Sequence, residues 1–322
     1  MKTLFFTQEE QKSIFDNWYN SIVENIGDCT LVRVPSNDQK NLKRFVEKNK
    51  LNLKQYDRVI LFLRYKKMMR QVNFIQSIPN LVIIELDACQ NYCESKYNGR
   101  FSTYFNQIPW ARILCTGKEL ANRLQNEGFD AQFFSKAYDN TILSNLNLKR
   151  NIELAFVGSL QTGVYQYRKA FLEEVTSKEK LKIIKTKPGQ EYLNTLNQIK
   201  YFVSADIPFG EYMIKNFEAM ACGCVLFTWD QGEVENKALG FIDMHNVVLY
   251  KTIDDFQEKL NIIRNNDSLG KEIALNGQKL VQDSHTWSHA AKKITQLIEP
   301  SLREKTCIKS LFGLKKTYKL KK

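Results

Sequence analysis

Lys215 and Glu218 stand three residues apart in the stretch Tyr212–Thr228, YMIKNFEAMACGCVLFT. An amphipathic segment there runs into the small residues Ala221-Cys222-Gly223-Cys224 and then into the apolar run Val225–Thr228. Read as a helix followed by a strand, it places a cation and a carboxylate one turn apart near a helix N-terminus. The cation and the free first-turn N–H groups can hold an anionic diphosphate. The carboxylate can accept two hydrogen bonds from a vicinal diol such as a ribose. With Asn216 between them, the two describe a pocket for a nucleotide diphosphate. Plainer readings exist: Glu218 as an acid that complements the helix dipole, and Lys215 as its intrahelical ion-pair partner.

Two further places carry candidate chemistry. Phe156-Val157-Gly158-Ser159 reads as a strand ending in a glycine turn, and Gly158 to Gly163 has the outline GxxxxG. Val164-Tyr165 follow where a P-loop needs Lys and Ser/Thr, which disfavours a nucleoside triphosphatase. Gly158 and Ser159 can still bring backbone N–H groups to a phosphate, or form an ordinary strand-to-helix turn. Asp87 follows the apolar run Leu81–Leu86. A carboxylate at the carboxyl end of a parallel strand faces the crevice of an open sheet, where it can orient or deprotonate an acceptor hydroxyl. The alternative is a cap for the next turn.

Some chemistries have no footing. No histidine occurs before His245, which excludes a histidine base from the first half. No DxD follows a strand, so no divalent metal is expected. The seven cysteines form no CxxC pair and have no histidine beside them, which fits free thiols in a reducing compartment better than structural zinc. No GxGxxG is present, so a dinucleotide oxidoreductase lacks support.

The elements that must position these residues alternate along the chain. Short apolar runs at 4–6, 29–34, 58–63, 81–86, 112–115 and 131–134 suit buried parallel strands, with helical patterns at 9–26, 39–49 and 118–127. The polar stretch 139–151 reads as a linker. A second series follows, with strands at 152–157, 181–184, 201–204, 225–228 and 247–250 and a closing helix at 285–298. The pattern predicts an α/β protein of two doubly wound domains, 1–140 and 151–298, with a tail over 299–322.

The core Lys215-Asn216-Phe217-Glu218-Ala219-Met220-Ala221-Cys222-Gly223 resembles the donor-site motif of glycosyltransferases with two facing Rossmann-like domains, the GT-B fold. The match is to the "glycosyl transferases group 1" type, in the branch of CgeB-like proteins. Phe156–Ser159, Ala111–Phe134 and Ser284-His285-Thr286-Trp287 echo other elements of that family, so the resemblance spans about residues 85–298. It implies that Glu218 holds the donor ribose, that Lys215 stabilises the departing diphosphate, and that His285 opens the helix tying the domains together. Many retaining members carry two glutamates eight positions apart. Here the earlier position is Gly210, and Glu211 is the acid that can substitute.

The net charge of +12 is uneven. Residues 301–322 hold eight Lys/Arg and one Glu, with Ile308, Leu311, Phe312, Leu314, Tyr318 and Leu320 interleaved. Such a basic amphipathic tail, partly helical in its spacing, suits an anionic membrane surface. No reader motif for nucleic acid accompanies it. The expectation is a cytoplasmic glycosyltransferase, peripheral on the inner membrane face, metal-independent and retaining. It would move sugar from a nucleotide-sugar to a glycan or lipid-linked acceptor in cell-surface polysaccharide synthesis. A catalytically silent scaffold that binds glycan, membrane or a partner enzyme is the alternative.

Overall fold

The computed structural model describes residues 1–160, 165–309 and 316–321. Six strands form the first sheet: β1 (Thr3–Gln8), β2 (Cys29–Val34), β3 (Arg58–Leu61), β4 (Leu81–Glu85), β5 (Arg112–Cys115) and β6 (Asp130–Phe133). They run parallel in the order β2-β1-β3-β4-β5-β6. Five more form the second: β7 (Ile152–Val157), β8 (Lys182–Ile184), β9 (Ile199–Ser204), β10 (Val225–Trp229) and β11 (Val248–Tyr250). Their order is β11-β10-β9-β7-β8, again parallel. β1, β4 and β5 are buried along their whole length, which is why each carries a continuous apolar stretch: residues 4–6, 81–84 and 113–115.

Both sheets reverse direction once, between β1 and β3 in the first and between β7 and β9 in the second. In open α/β sheets the crevice at such a point, beyond the carboxyl ends of the strands, is where ligands bind. Gln8 and Arg64 follow the first switch; Gly158 and Asp206 follow the second.

The closing helix, Trp287–Ile298, does not stay with the second domain. Trp287, Ala290, Ala291, Ile294 and Ile298 pack with Phe15, Trp18, Tyr19 and Ile22 beside the first sheet. Its last carbonyls are gripped from that side: Arg58 Nε donates to Ile298 O (2.6 Å) and Arg112 Nη1 to Leu297 O (2.9 Å). The chain thus crosses between domains twice. The crossings run side by side, with Tyr138 N donating to His285 O and Trp287 N to Tyr138 O, each at 3.0 Å.

His285 is sealed into this junction. Its Nε2 lies 2.9 Å from Leu239 O and its Nδ1 3.1 Å from Ser135 Oγ. Burial lowers its pKa from 6.5 to about 4. Between those values the unfolded chain binds a proton that the native imidazole refuses. Its stabilising contribution is therefore complete above pH 6.5 and is lost as the pH falls to 4. In urea unfolding, the stability gap between the wild type and His285→Gln narrows by about 3 kcal/mol across that interval. A gap independent of pH contradicts this.

Beyond Pro300 the chain forms two antiparallel strands, β12 (Lys305–Lys309) and β13 (Lys316–Leu320). This differs from the partly helical spacing of the tail. Ile308 sits in a strand, and Leu311, Phe312 and Leu314 lie outside the described residues. Helices at Tyr65–Met68, Val72–Ser77, Arg100–Phe105 and Glu233–Leu239 escape the sequence reading because none is long enough to show a period.

Candidate active site

The helix Ile214–Ala221 follows β9 and begins at the crevice. Its N-cap, Met213, makes no side-chain cap hydrogen bond to the first turn. Met213, Ile214 and Lys215 all line a cleft of ≈ 620 Å³ between the two domains, within the range of small-molecule sites. The helix ends in a tight turn. Gly223 N donates to Met220 O (2.9 Å) and Cys224 N to Ala219 O (3.0 Å). Gly223 has φ +78°, and a Cβ there would stand 2.5 Å from Asn145 Nδ2, so the glycine of the motif answers a steric demand.

Lys215 is the charged group of this helix that reaches the cleft. Its ammonium lies 5.0 Å from the centroid of the Tyr192 ring. Burial lowers its pKa; Glu218 opposes that shift and the nearby Arg168 cation adds to it. A desolvated ammonium beside a second cation gains from an incoming diphosphate. Glu218 lies one turn deeper, half-buried, and its Oε2 accepts the Tyr192 hydroxyl at 2.5 Å. Burial raises its pKa, with Tyr192 and Lys215 pulling the other way. Gly158 closes this corner: a Cβ would come within 2.8 Å of Phe156 Cζ and 3.3 Å of Lys215 Cε. The glycine leaves room for the lysine. Ser159 is its neighbour, and Gly163 of the GxxxxG outline lies outside the described residues.

Two site residues come without sequence signal. Arg168 lines the cleft from the helix Gln166–Glu179. It donates to Ala205 O (3.1 Å) and to Asp206 Oδ1 (2.8 Å), and its guanidinium stands 4.6 Å from the Tyr165 ring centroid. Asp206 Oδ2 in turn accepts Met213 N (3.0 Å), fixing the start of the Lys215 helix. Lys136, after β6, lines the cleft from the other side, paired with Glu211 Oε1 at 3.0 Å. Burial opposes its charge, but Glu211, Cys89 and Asp87 together outweigh that and the pKa is raised. Asp206 follows its strand as Asp87 follows β4, so the rule that singles out Asp87 applies to it equally.

Asp87 is open to the cleft on the first-domain wall, close behind Glu85. The confined surroundings raise its pKa, Lys136 opposing and Glu211 adding. Glu85 is pushed up to about 8, first by burial and then by Asp87. Its Oε1 accepts Asp87 N at 2.9 Å.

Two expected ligand contacts are corrected. The Asn216 side chain points into the second domain, donating to Asp206 Oδ2 (2.8 Å), and is fully buried. It braces the crevice and does not face it. Glu211 is also fully buried, accepting Thr116 Oγ1 (2.8 Å) and pairing with Lys136. It joins the domains instead of standing at the position of a donor sugar. Glu235 does likewise, its Oε2 accepting Lys118 N at 2.7 Å. Among the described residues no group of His, Cys, Asp and Glu converges on a metal position, and all seven cysteines are unpaired.

Residues 139–296 match the model of a family described as glycosyl transferase-like. No curated protein matches the chain by sequence. Among solved structures, Anabaena HepE in complex with UDP is similar over 92% of this chain and 99% of its own, at 12% identity and a TM-score of 0.65. A sucrose-phosphate synthase from Thermosynechococcus elongatus is similar over 92% and 98%, at 12% identity and 0.62. A glycosyltransferase from Rickettsia africae is similar over 93% and 99%, at 11% identity and 0.59. A glycosyl transferase-like family model thus matches residues 139–296, just under half of the chain, and the chain as a whole has the GT-B fold of two facing Rossmann-like domains.

Proposed function

We propose that this enzyme transfers a sugar from a nucleotide-sugar to a glycan or lipid-linked acceptor in cell-surface polysaccharide synthesis. The observation that carries the reading is the convergence of Lys215, Arg168 and the N-terminus of the Ile214–Ala221 helix on one cleft wall, opposite Asp87. Three sources of positive potential face the place where a diphosphate leaves. HepE, crystallised with UDP-glucose as well as UDP, supplies the first donor to test. Glu218 holds the ribose, with Tyr192 fixing its carboxylate. Lys215 and Arg168 take the diphosphate, near the Gly158-Ser159 turn. The protonated cations neutralise the leaving group, so no divalent metal is required. The protein works at the inner face of the membrane, with the basic tail as one contact.

A thermal-shift series with UDP, ADP and GDP tests this directly. The midpoint rises with one of them in a concentration-dependent way, as a ligand of the native state requires. Glu218→Ala weakens that nucleotide by about tenfold to a hundredfold, the loss of a charge-assisted pair of hydrogen bonds. If none of the three nucleotides shifts the midpoint, the donor site is refuted.

Retention follows if the departing diphosphate itself receives the acceptor proton during front-face attack. The position of Asp87 favours a second reading: a carboxylate on the acceptor wall, its pKa raised by burial, suits the base of an inverting transfer. The anomer seen by proton NMR in the first minutes of turnover separates the two. The sealed Glu211 favours the silent scaffold as a further reading. Nucleotide release from sugar donors in the presence of acceptor glycans rejects it.

A further inference from the structure

The excess positive charge of this protein sits in two segments that the fold brings together. The chain's +12 divides into +8 over residues 36–80, +7 over 301–322 and −3 over all the rest. The first segment contributes the helix Leu42–Lys48 and the helical stretch from Tyr65 to Ser77. Gln71 ties these two walls: its Oε1 accepts Leu42 N at 2.8 Å and its Nε2 donates to Gln39 O at 2.7 Å.

The second segment is not a loose end. Arg112 Nη2 holds Ser301 O (2.9 Å), Arg303 Nη1 donates to Gly128 O (2.6 Å), and Lys305 Nζ donates to Gln76 O (2.6 Å) and Ile78 O (2.5 Å). Tyr318 packs against Trp110 with ring centroids 6.2 Å apart and planes tilted by 50°, and Lys305 lies against both rings. The tail hairpin is thereby docked at the edge of the two helical walls. A groove of ≈ 510 Å³ results, lined by Lys40, Lys43, Arg70, Gln71, Phe74 and Tyr318. It is separate from the interdomain cleft.

The cations of this groove are exposed and uncompensated. Lys40 and Arg70 make no ion pair among the described residues, and Lys43 has only an exposed contact at 3.8 Å with Glu47. The crowding is felt by Lys67 next door, whose pKa is lowered by partial desolvation and by the Arg64 and Lys40 cations. Surface charge of one sign with no internal partner raises the local concentration of an anionic ligand. Exposed Leu320, two residues past Tyr318 on the same strand face, adds apolar area to that face of the hairpin. Cations bordered by aliphatic and aromatic side chains match the headgroup boundary of an anionic bilayer better than a nucleic acid, which calls for base-stacking platforms. Along the same chain segment, Arg64 and Lys66 line the mouth of the cleft.

We propose that this groove, formed jointly by the 36–80 helices and the tail hairpin, is a docking site for the phosphate headgroups of an anionic membrane. The inference goes beyond the sugar-transfer reading and does not rest on it. It assigns the membrane face to the first domain and makes the tail one wall of it.

The test is sedimentation of the full chain with vesicles of pure phosphatidylcholine or of phosphatidylcholine with about one-third phosphatidylglycerol. The wild type pellets with the anionic vesicles and stays in solution with the neutral ones. The triple variant Lys40→Glu/Lys43→Glu/Arg70→Glu, altered only at exposed side chains, loses at least about tenfold in partitioning. Its thermal midpoint and its response to UDP are unchanged. Equal pelleting of triple variant and wild type overturns the proposal, as does equal binding of the wild type to neutral vesicles or none to either. If removal of 301–322 abolishes binding while the triple variant retains it, the tail acts alone and the groove is rejected. If the triple variant weakens binding to duplex DNA but not to vesicles, the groove serves nucleic acid instead and the proposal fails.

Discussion

Lys215→Ala lowers the rate of transfer from the cognate nucleotide-sugar by about two to three orders of magnitude, the effect of removing one preorganised group from developing charge. The same change leaves the fold intact. The Lys215 pKa is depressed by burial, so below that pKa its charge costs the native state stability, and the cost is relieved as the pH rises toward the ordinary lysine value. A neutral side chain therefore raises the thermal midpoint at pH 7 or leaves it where it was. Rate by nucleotide release and midpoint by calorimetry are measured on the same sample. A variant with at least one-tenth of the wild-type rate removes Lys215 from the chemistry, and with it the main support for the assignment.

Arg168→Leu has the opposite balance. Asp206 is 1% exposed, and Arg168 is its cationic partner. Without the guanidinium a buried carboxylate is left uncompensated, which costs about 3–5 kcal/mol in urea unfolding. The double variant Arg168→Leu/Asp206→Asn recovers most of that stability, because the amide that replaces the carboxylate has no charge to strand. It does not recover UDP affinity, since the diphosphate has lost a cation on the cleft wall. Full recovery of UDP affinity in the double variant refutes a ligand role for Arg168 and leaves it a purely structural one.

The two predictions mark how far the sequence carries. Lys215, Glu218 and Gly223 are legible because their spacing encodes local geometry: a helix start, one turn, and a positive-φ stop. The central strands are legible because burial on both faces leaves an apolar run in each, as at Leu81–Ile84 and Tyr201–Val203. Arg168 is not, because nothing in Gln166–Glu179 distinguishes an arginine that turns toward Asp206 from one that faces water. Partners 38 positions apart meet only when β7 and β9 become neighbours. Glu211 misleads for the same reason. Its distance along the chain from Glu218 suggests a donor contact, while its actual partners, Thr116 and Lys136, belong to the other domain. Asn216 misleads through helix phase: one position past Lys215, the side chain rotates out of the crevice and into the sheet.

The paired crossings at Tyr138 and Thr286 have a topological result. Cutting the backbone anywhere from 139 to 151 still leaves the second domain tethered, through 285–287, to the helix Trp287–Ile298 that packs in the first. A single protease nick there produces two fragments that migrate apart in denaturing gels but travel as one particle in native buffer. Any change of angle between the sheets must bend both ribbons together, like a door hung on two pins of one spindle.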